Sequence, residues 1–457
     1  VARSFGAEAC DLPLSRWRLS RDPSGSMRLD GVRLAELLGR YGSPLHVVDH
    51  ARLADNAARF LAKPAHAERA CEAFFSYKTN PVPGLLRRIH DEGIGAEAGS
   101  PYELWLARRL GVPGRSIVYD CPAKPDASIR EAIEIGVELI NINAREEIGV
   151  VAAIARSAGR RVRVGVRVAV PGSISGQFGE RIDDGSALAA FVEALARPEL
   201  HVVAMHSHLN DEIATAADLD AYLDAVLAFS DVLRRELGLG LEILDLGGNL
   251  ACPTVSGRSA LARRLALALG RSRSTRNPDE VLAIDAYVDQ VVRRVEGHSL
   301  RAKQPAPRIL LEPGRAMTSN AQMLLCSVLQ VREPDESGLS IAMLDAGINI
   351  ADGLRSEHHQ IFALDEPIGD ERRPYRLTGP TCALSDLLHP ACELPRLRRG
   401  DTLAIMDAGA YFIPYSNCFS FPRPAVVMLE GGRERLLRRS ETFENLIALD
   451  VPPEETR

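Results

Sequence analysis

The chain has 457 residues, 46% hydrophobic and 25% charged, with a formal net charge of −6. That length calls for about two hydrophobic cores rather than one, and the acidic balance leaves no electrostatic footprint for nucleic acid or an anionic membrane. No run reaches the roughly 18 apolar residues of a membrane span. Residues 1–30 hold no apolar signal-peptide core and the eight cysteines form no CxxC pair, so free thiols in a reducing, cytoplasmic setting are expected.

Residues 1–43 end in a short amphipathic helix (LAELLGRYG, 34–42) and a Gly-Ser-Pro break. After PLHVVDH (44–50) come eight strand candidates: CEAFFSYK (71–78), IGAEAG (94–99), SIVYDC (116–121), ELININ (138–143), RVRVGVRVAV (161–170), HVVAMHSHL (201–209), EILDLGG (242–248) and PRILLEPG (307–314). Helical patterns such as ELWLARRL (103–110), REEIGVVAAIARS (145–157) and residues 216–237 separate them. Strand and helix alternating through eight cycles predict a (β/α)8 TIM-type barrel over residues 44–315 rather than an open doubly wound sheet. Residues 250–280, rich in Arg and Ser, are longer than an ordinary loop and read as an insertion near the barrel mouth. Beyond 315, AQMLLCSVLQVRE, SIAMLDAGI, DTLAIMDAG and PAVVMLE run between Gly, Pro and Asp punctuation. They predict a mainly β domain over 316–457, to which 1–43 adds strands.

In such a barrel the chemistry gathers at the C-terminal strand ends, which here carry Lys78, Glu97, Arg167, His208, Gly247–Gly248 and Glu312. A lysine closing an apolar strand either snorkels to solvent or serves as a Schiff-base nucleophile, because a buried ammonium is costly unless paired or used. LDLGGN (244–249) is either a plain turn or a backbone cradle for an anion. EPGR (312–315) is either a surface Glu–Arg pair or a carboxylate followed by a phosphate-binding arginine, Arg315. In HSH (206–208) one histidine of the two is expected to face inward, and no third Cys, His or carboxylate follows at ligand spacing, so no metal is expected. Amine, anion cradle, flat imidazole and carboxylate together describe pyridoxal phosphate. Lys78 would meet its aldehyde, the glycines and Arg315 its phosphate, a histidine its ring, and Glu312 its pyridine nitrogen, keeping the ring an electron sink.

Further residues extend this set along nearly the whole chain, from SPLHVVD (43–49) to RPAVVML (423–429). They are Tyr77, Lys78 and Asn80; Ser100, Glu103 and Leu104; Phe178-Gly179; His208; Glu312 with Arg315; GPTC ending in Cys382; Asp386; and GAY ending in Tyr411. In this order they resemble the fold-type III pyridoxal-phosphate decarboxylases, alanine racemase-like in fold, the group of the diaminopimelate, ornithine and arginine decarboxylases. The resemblance implies that Lys78 is the Schiff-base lysine, that His208 stacks on the ring and that Glu312 holds its nitrogen. It also implies that Glu97, Arg167, Gly247, Gly248, Arg315 and Tyr411 line the cofactor site, and that Asp386 and Tyr411 meet substrate. It further implies an obligate homodimer in which Cys382 of one chain returns a proton in the other chain's barrel.

Four features depart from the family pattern. Asn210-Asp211 follows His208 where Gly-Ser is usual, and the glycine loop is Gly247-Gly248-Asn249, one glycine short. Ala383 stands where diaminopimelate decarboxylases carry a glutamate, and ADGLR (351–355) replaces an Arg-Pro segment, leaving Arg355 as the candidate for a distal carboxylate. The expected substrate is therefore a modified amino acid other than meso-diaminopimelate, such as a citryl-diamino acid of siderophore assembly or an amino acid on a carrier. An amino-acid racemase and a catalytically silent, cofactor-binding regulatory homologue are the alternatives.

Overall fold

The structure is a computed structural model that describes residues 8–9, 12–171, 176–209, 211–257, 277–334, 339–365 and 371–451. Eight parallel strands close on themselves in chain order: Glu72–Ser76, Gly95–Ala98, Ile117–Tyr119, Leu139–Ile142, Val162–Ala169, Leu200–Ser207, Ile243–Asp245 and Arg308–Leu311. We refer to them as strands one to eight. Closure comes from the pairing of strand eight with strand one, Leu310 opposite Glu72. Phe74, Val118, Leu139, Val203, Ala204, Ile243 and Leu310 fill the interior, so the barrel is a packed core and its chemistry is confined to the rim. The expected (β/α)8 architecture is present, with seven barrel strands inside their predicted segments and strand six starting one residue early, at Leu200.

Helices return the chain between strands, and their ends follow from local sequence. Pro101–Arg109 begins with proline in its first turn, where no amide is needed, and Ser100 Oγ accepts from Glu103 N. Ala216–Leu237 starts with a reciprocal Thr215–Asp218 capping box and stops at Gly238, whose φ of 64° suits glycine. Among the described residues, no helix is long and apolar enough to cross a membrane.

The chain divides into two compact units, one of 54–253 and 278–317, which holds the barrel, and one of 1–53, 254–277 and 318–457. The second unit is a mixed sheet, as expected for a mainly β domain. Its long strand Gln322–Arg332 pairs with Ser340–Leu344, Thr402–Ile405 and Leu45–Asp49, and the last of these pairs in turn with Ala425–Glu430. The four strands predicted after residue 315 are all present. Strands Ile361–Ala363, Arg372–Thr378, Leu387–Pro395 and Arg433–Arg438 carried no comparable apolar signal.

Two boundaries differ from the expectation. Leu45–Asp49 is fully buried and belongs to the mixed sheet, so the division falls after residue 53 rather than after 43. A continuous apolar strand of this kind suits a barrel as well as a sheet centre. Of the presumed insertion, residues 258–276 lie outside the described residues, while Ser256–Gly257 pairs with Glu357–His358 within the second unit.

Candidate active site

Strand one ends at Ser76, and a 3-10 turn, Tyr77–Thr79, carries Lys78 just past it. The turn is anchored by Tyr77, whose buried hydroxyl lies 2.6 Å from His90 Nε2. Lys78 Nζ then sits 2.9 Å from Glu97 Oε2 at the end of strand two, with the lysine part-exposed and the glutamate fully buried. Ser76 Oγ donates to the same oxygen. Burial pushes the Glu97 carboxyl up to about 7, against the pull of the Lys78 ammonium and with Glu312 adding to the rise. A group that titrates near neutrality beside an amine is suited to holding and passing a proton. The next turn is fixed by Glu103 Oε2, which accepts from Gly99 N at 2.7 Å, so the Ser-x-x-Glu motif works as a helix cap that shapes the rim beside Lys78.

Strand six supplies both histidines. One of the pair was expected to face inward, but residues i and i+2 of a strand share a face. His206 Nε2 and His208 Nδ1 accordingly lie 3.6 and 3.5 Å from the same oxygen, Glu312 Oε2. Burial and Lys78 lower the His208 ring despite Glu312, and its Nδ1 accepts from Gly248 N at 3.2 Å, leaving the proton on Nε2. Burial would raise Glu312, but the charge of His206 above all holds it well below the ordinary carboxylate range. Three donor atoms from His206, His208 and Glu312 fall within 4.8 Å of one another. His206 nevertheless has each ring nitrogen within ion-pair distance of a carboxylate, Nδ1 of Asp120 at 3.3 Å and Nε2 of Glu312 at 3.6 Å, surroundings that favour an imidazolium over a metal ligand.

The Gly247-Gly248 turn brings backbone where no side chain fits. A Cβ on Gly247 would lie 2.5 Å from His208 Nδ1, and one on Gly248 would lie 2.4 Å from Glu312 O. Asn249 adopts φ 72°, a left-handed conformation that asparagine tolerates better than most residues, which explains how the loop keeps its path with one glycine fewer. Of the pair that follows His208, Asn210 lies outside the described residues and Asp211 is exposed. Arg315 opens the short helix Arg315–Thr318, with Nε 3.8 Å from Glu212 Oε1.

Arg167, on strand five, is buried, with NH1 3.3 Å from Asp120 Oδ2 and its guanidinium 4.8 Å from the Phe178 ring centroid. Phe178-Gly179 therefore acts on Arg167, since a Cβ at Gly179 would crowd its backbone and Cγ at 3.1 Å. Asp120 and Asp245 were not anticipated. Asp120 sits one residue past strand three and could have been read as another polar strand end, like Lys78 or Glu97. Asp245 is the cross-strand neighbour of His206. It accepts from Asn141 Nδ2 at 3.1 Å and from Gly247 N at 3.2 Å, and burial and the Glu312 charge raise it well above the ordinary range.

The remaining candidates lie in the mixed-sheet unit. Cys382 is an exposed free thiol. Asp386 is buried and accepts from Ile348 N at 2.9 Å, Thr381 N at 2.8 Å and Thr381 Oγ1 at 2.6 Å, so its carboxylate braces the GPTC loop. Tyr411, at φ 67°, stacks on Tyr415 with ring centroids 5.8 Å apart. Arg355 NH1 lies 3.1 Å from Asp352 Oδ1.

The barrel residues fit the cofactor that the sequence pointed to. Among the described residues Glu312 Oε1 is buried without a hydrogen-bond partner, as a carboxylate awaiting a ring N–H would be, and the glycine turn leaves bare backbone beside it. Residues 57–319 match the family model described as the pyridoxal-dependent decarboxylase, pyridoxal binding domain. Diaminopimelate decarboxylase of Zymomonas mobilis is 26% identical over 441 residues, 93% of this chain and 96% of its own. That of Actinosynnema pretiosum is 28% identical over 453 residues, 95% of each chain. The crystal structure of diaminopimelate decarboxylase from Methanocaldococcus jannaschii superposes with a TM-score of 0.85 at 24% identity, over 97% of this chain and 100% of that one. A lysine/ornithine decarboxylase of Vibrio vulnificus complexed with cadaverine gives a TM-score of 0.69 at 20% identity, over 86% of this chain and 97% of that one.

Proposed function

This chain belongs to the pyridoxal-dependent decarboxylases, and on that footing we propose that it decarboxylates an amino-acid conjugate other than meso-diaminopimelate. The observation that carries the reading is the convergence of Lys78, His208, the Gly247-Gly248 backbone and Glu312 at the ends of four barrel strands. Bound there, pyridoxal phosphate supplies the electron sink for the carbanion left when carbon dioxide departs. Lys78 holds the cofactor, and Glu97 beside its Nζ takes and returns the amine proton. Glu312 stays ionised and accepts the hydrogen bond of the ring nitrogen. His208, neutral and backed by Gly248 N, covers one ring face. The Gly247-Gly248 amides and Arg315 hold the phosphate, with Tyr411 completing its shell.

In this reading two subunits share their sites, and Cys382 of the partner chain protonates the product carbon. Asp386 acts there by bracing the loop that carries Cys382, in keeping with its three local hydrogen bonds. Substrate choice is argued from Ala383 and Arg355. The first removes the carboxylate expected to meet a distal ammonium, and the second sits beside Asp352, its charge matched locally. Both changes favour a substrate with a different far end, such as a citryl-diamino acid or a carrier-held amino acid. An ionised Glu312 disfavours a racemase, which profits from an unprotonated ring nitrogen.

The test is carbon dioxide release from the purified, cofactor-loaded protein. The panel runs from lysine, ornithine, arginine and diaminopimelate to citryl-diaminopropionate and carrier-loaded amino acids. Turnover of a conjugate supports the proposal. Rapid turnover of diaminopimelate overturns the substrate argument while leaving the decarboxylase intact.

A further inference from the structure

Four charged side chains form a buried line, of which the chemistry above uses only Glu312. Arg167 NH1 lies 3.3 Å from Asp120 Oδ2, Asp120 Oδ1 lies 3.3 Å from His206 Nδ1, and His206 Nε2 lies 3.6 Å from Glu312 Oε2. The signs alternate along the line. All four side chains are less than one-tenth exposed, and His206, Glu312 and Asp120 are nearly inaccessible. They come from different places on the barrel: strand five, the turn after strand three, strand six and the turn after strand eight. The fold, not the local sequence, assembles them.

We propose that His206 is a positioning residue, held as an imidazolium between Asp120 and Glu312, and that it fixes Glu312 as an ionised carboxylate aimed at the cofactor's ring nitrogen. The inference rests on the reading of Glu312 as the group that meets that nitrogen. The contacts at Nδ1 and Nε2 are ion-pair approaches rather than hydrogen bonds, and only the doubly protonated ring presents an N–H and a positive charge to both carboxylates at once. Replacing it by a neutral ring would leave one carboxylate facing an acceptor lone pair in a buried setting, where like-signed groups repel strongly.

The surroundings favour the charged form. Burial pulls the His206 ring down, but Asp120, then Glu312, then Asp245 outweigh it and hold it up to about 9. The other groups near it are His208 on its own strand, with ring centroids 6.5 Å apart, and Arg167 behind Asp120. Arg167 ties down the far oxygen of Asp120, so the Asp120 carboxylate cannot turn away. The line thus ends on Glu312 Oε2, and the partnerless Oε1 is left for the ring nitrogen. Arg167 then supports the cofactor site through Asp120 and His206 rather than by reaching the phosphate.

The first experiment needs no variant. The full-length cofactor-free protein, labelled with 15N-histidine, is titrated by NMR around neutral pH. A doubly protonated His206 ring is expected, and a singly protonated ring overturns the proposal. The second uses Asp120→Asn, which keeps shape and removes charge, in cofactor-loaded protein. The visible absorbance of the bound cofactor should become pH-dependent near neutrality. The turnover number should fall about tenfold or more, as when an outer partner of a functional histidine is lost, with KM little changed, and Asp120→Glu should recover part of it. An unchanged spectrum and turnover in Asp120→Asn overturns the positioning role. Failure of the underlying cofactor reading is separately visible, because Lys78→Ala would then keep the visible band while the His206 result still stands.

Discussion

Gly248 gives a sharp test of how the glycine turn supports Glu312. A Cβ there would meet Glu312 O at 2.4 Å and His208 Cε1 at 3.5 Å, so the carbonyl is about 1 Å inside an ordinary contact. It has little room to retreat. Glu312 N donates to Gly247 O at 2.7 Å and Leu246 N to Leu310 O at 3.0 Å, which pin strands seven and eight together just where the new atom must fit. Gly248 is absent from the positive-φ glycines, so Gly248→Ala adds bulk without a backbone penalty, unlike a change at Gly247. Overpacking of this kind costs about 1–3 kcal/mol. If the displacement falls on Glu312 and His208, cofactor affinity should drop about five- to hundredfold. Titrating pyridoxal phosphate into cofactor-free protein and following the visible band measures it. Gly240→Ala, with no atom of the described residues within 4 Å of the new Cβ and no positive φ, is the control. Wild-type affinity in Gly248→Ala would refute the argument that this turn positions Glu312.

Other expectations are as direct. Lys78→Ala should abolish both the visible absorbance of the lysine-bound cofactor and turnover. For Glu97, whose folded value of about 7 lies above the ordinary 4.5 of a glutamate, the folded state binds a proton more tightly than the unfolded one. Its contribution to stability is full below pH 4.5 and is lost as pH rises towards 7. The melting temperature of cofactor-free wild type should therefore fall more steeply across that window than that of Glu97→Gln. Lys124 is fully buried against Glu147 and the carbonyls of Cys121 and Asn141. Lys124→Met should destabilise the protein by about 1–3 kcal/mol in denaturant titrations, since two carbonyls lose their donor and Glu147 its cation, while Glu147 keeps its bond from Asn143 N. If sites are shared between subunits, mixing inactive Lys78→Ala and Cys382→Ala chains should restore up to about a quarter of wild-type activity. No recovery after demonstrated exchange would count against Cys382 acting across chains.

Period and punctuation made the barrel legible. Each of its strands is a short apolar run followed by a helical repeat, and the polar residues at the strand ends stood out against that background. Lys78, Glu97, Glu312 and the glycine pair were visible for this reason. What the sequence concealed depends on register and closure. The shared contact of His206 and His208 follows from strand alternation, which the linear reading of HSH misjudged. Asp120 joins Arg167 and His206 only because strands three, five and six bend round a common centre. Leu45–Asp49 looked like barrel material because full burial on both faces leaves the same apolar signature in either setting. Strands such as Arg372–Thr378 were missed because their sequence is mostly polar, here with only Tyr375 and Leu377 buried.

The strand Leu45–Asp49 also sets an order of events for the growing chain. Its two neighbours, Gln322–Arg332 and Ala425–Glu430, are made only after the whole barrel has been synthesised. The barrel's own segments are complete by residue 317, and their pairings join strands close in sequence except for the closing one. Until residue 430 emerges, a strand whose five residues are all buried in the finished fold waits with bare amides and carbonyls on both edges, a template for wrong partners. Refolding should therefore run in two stages, an earlier barrel and a slower sheet governed by long-range pairing, and the second stage is where the chain is most exposed to aggregation.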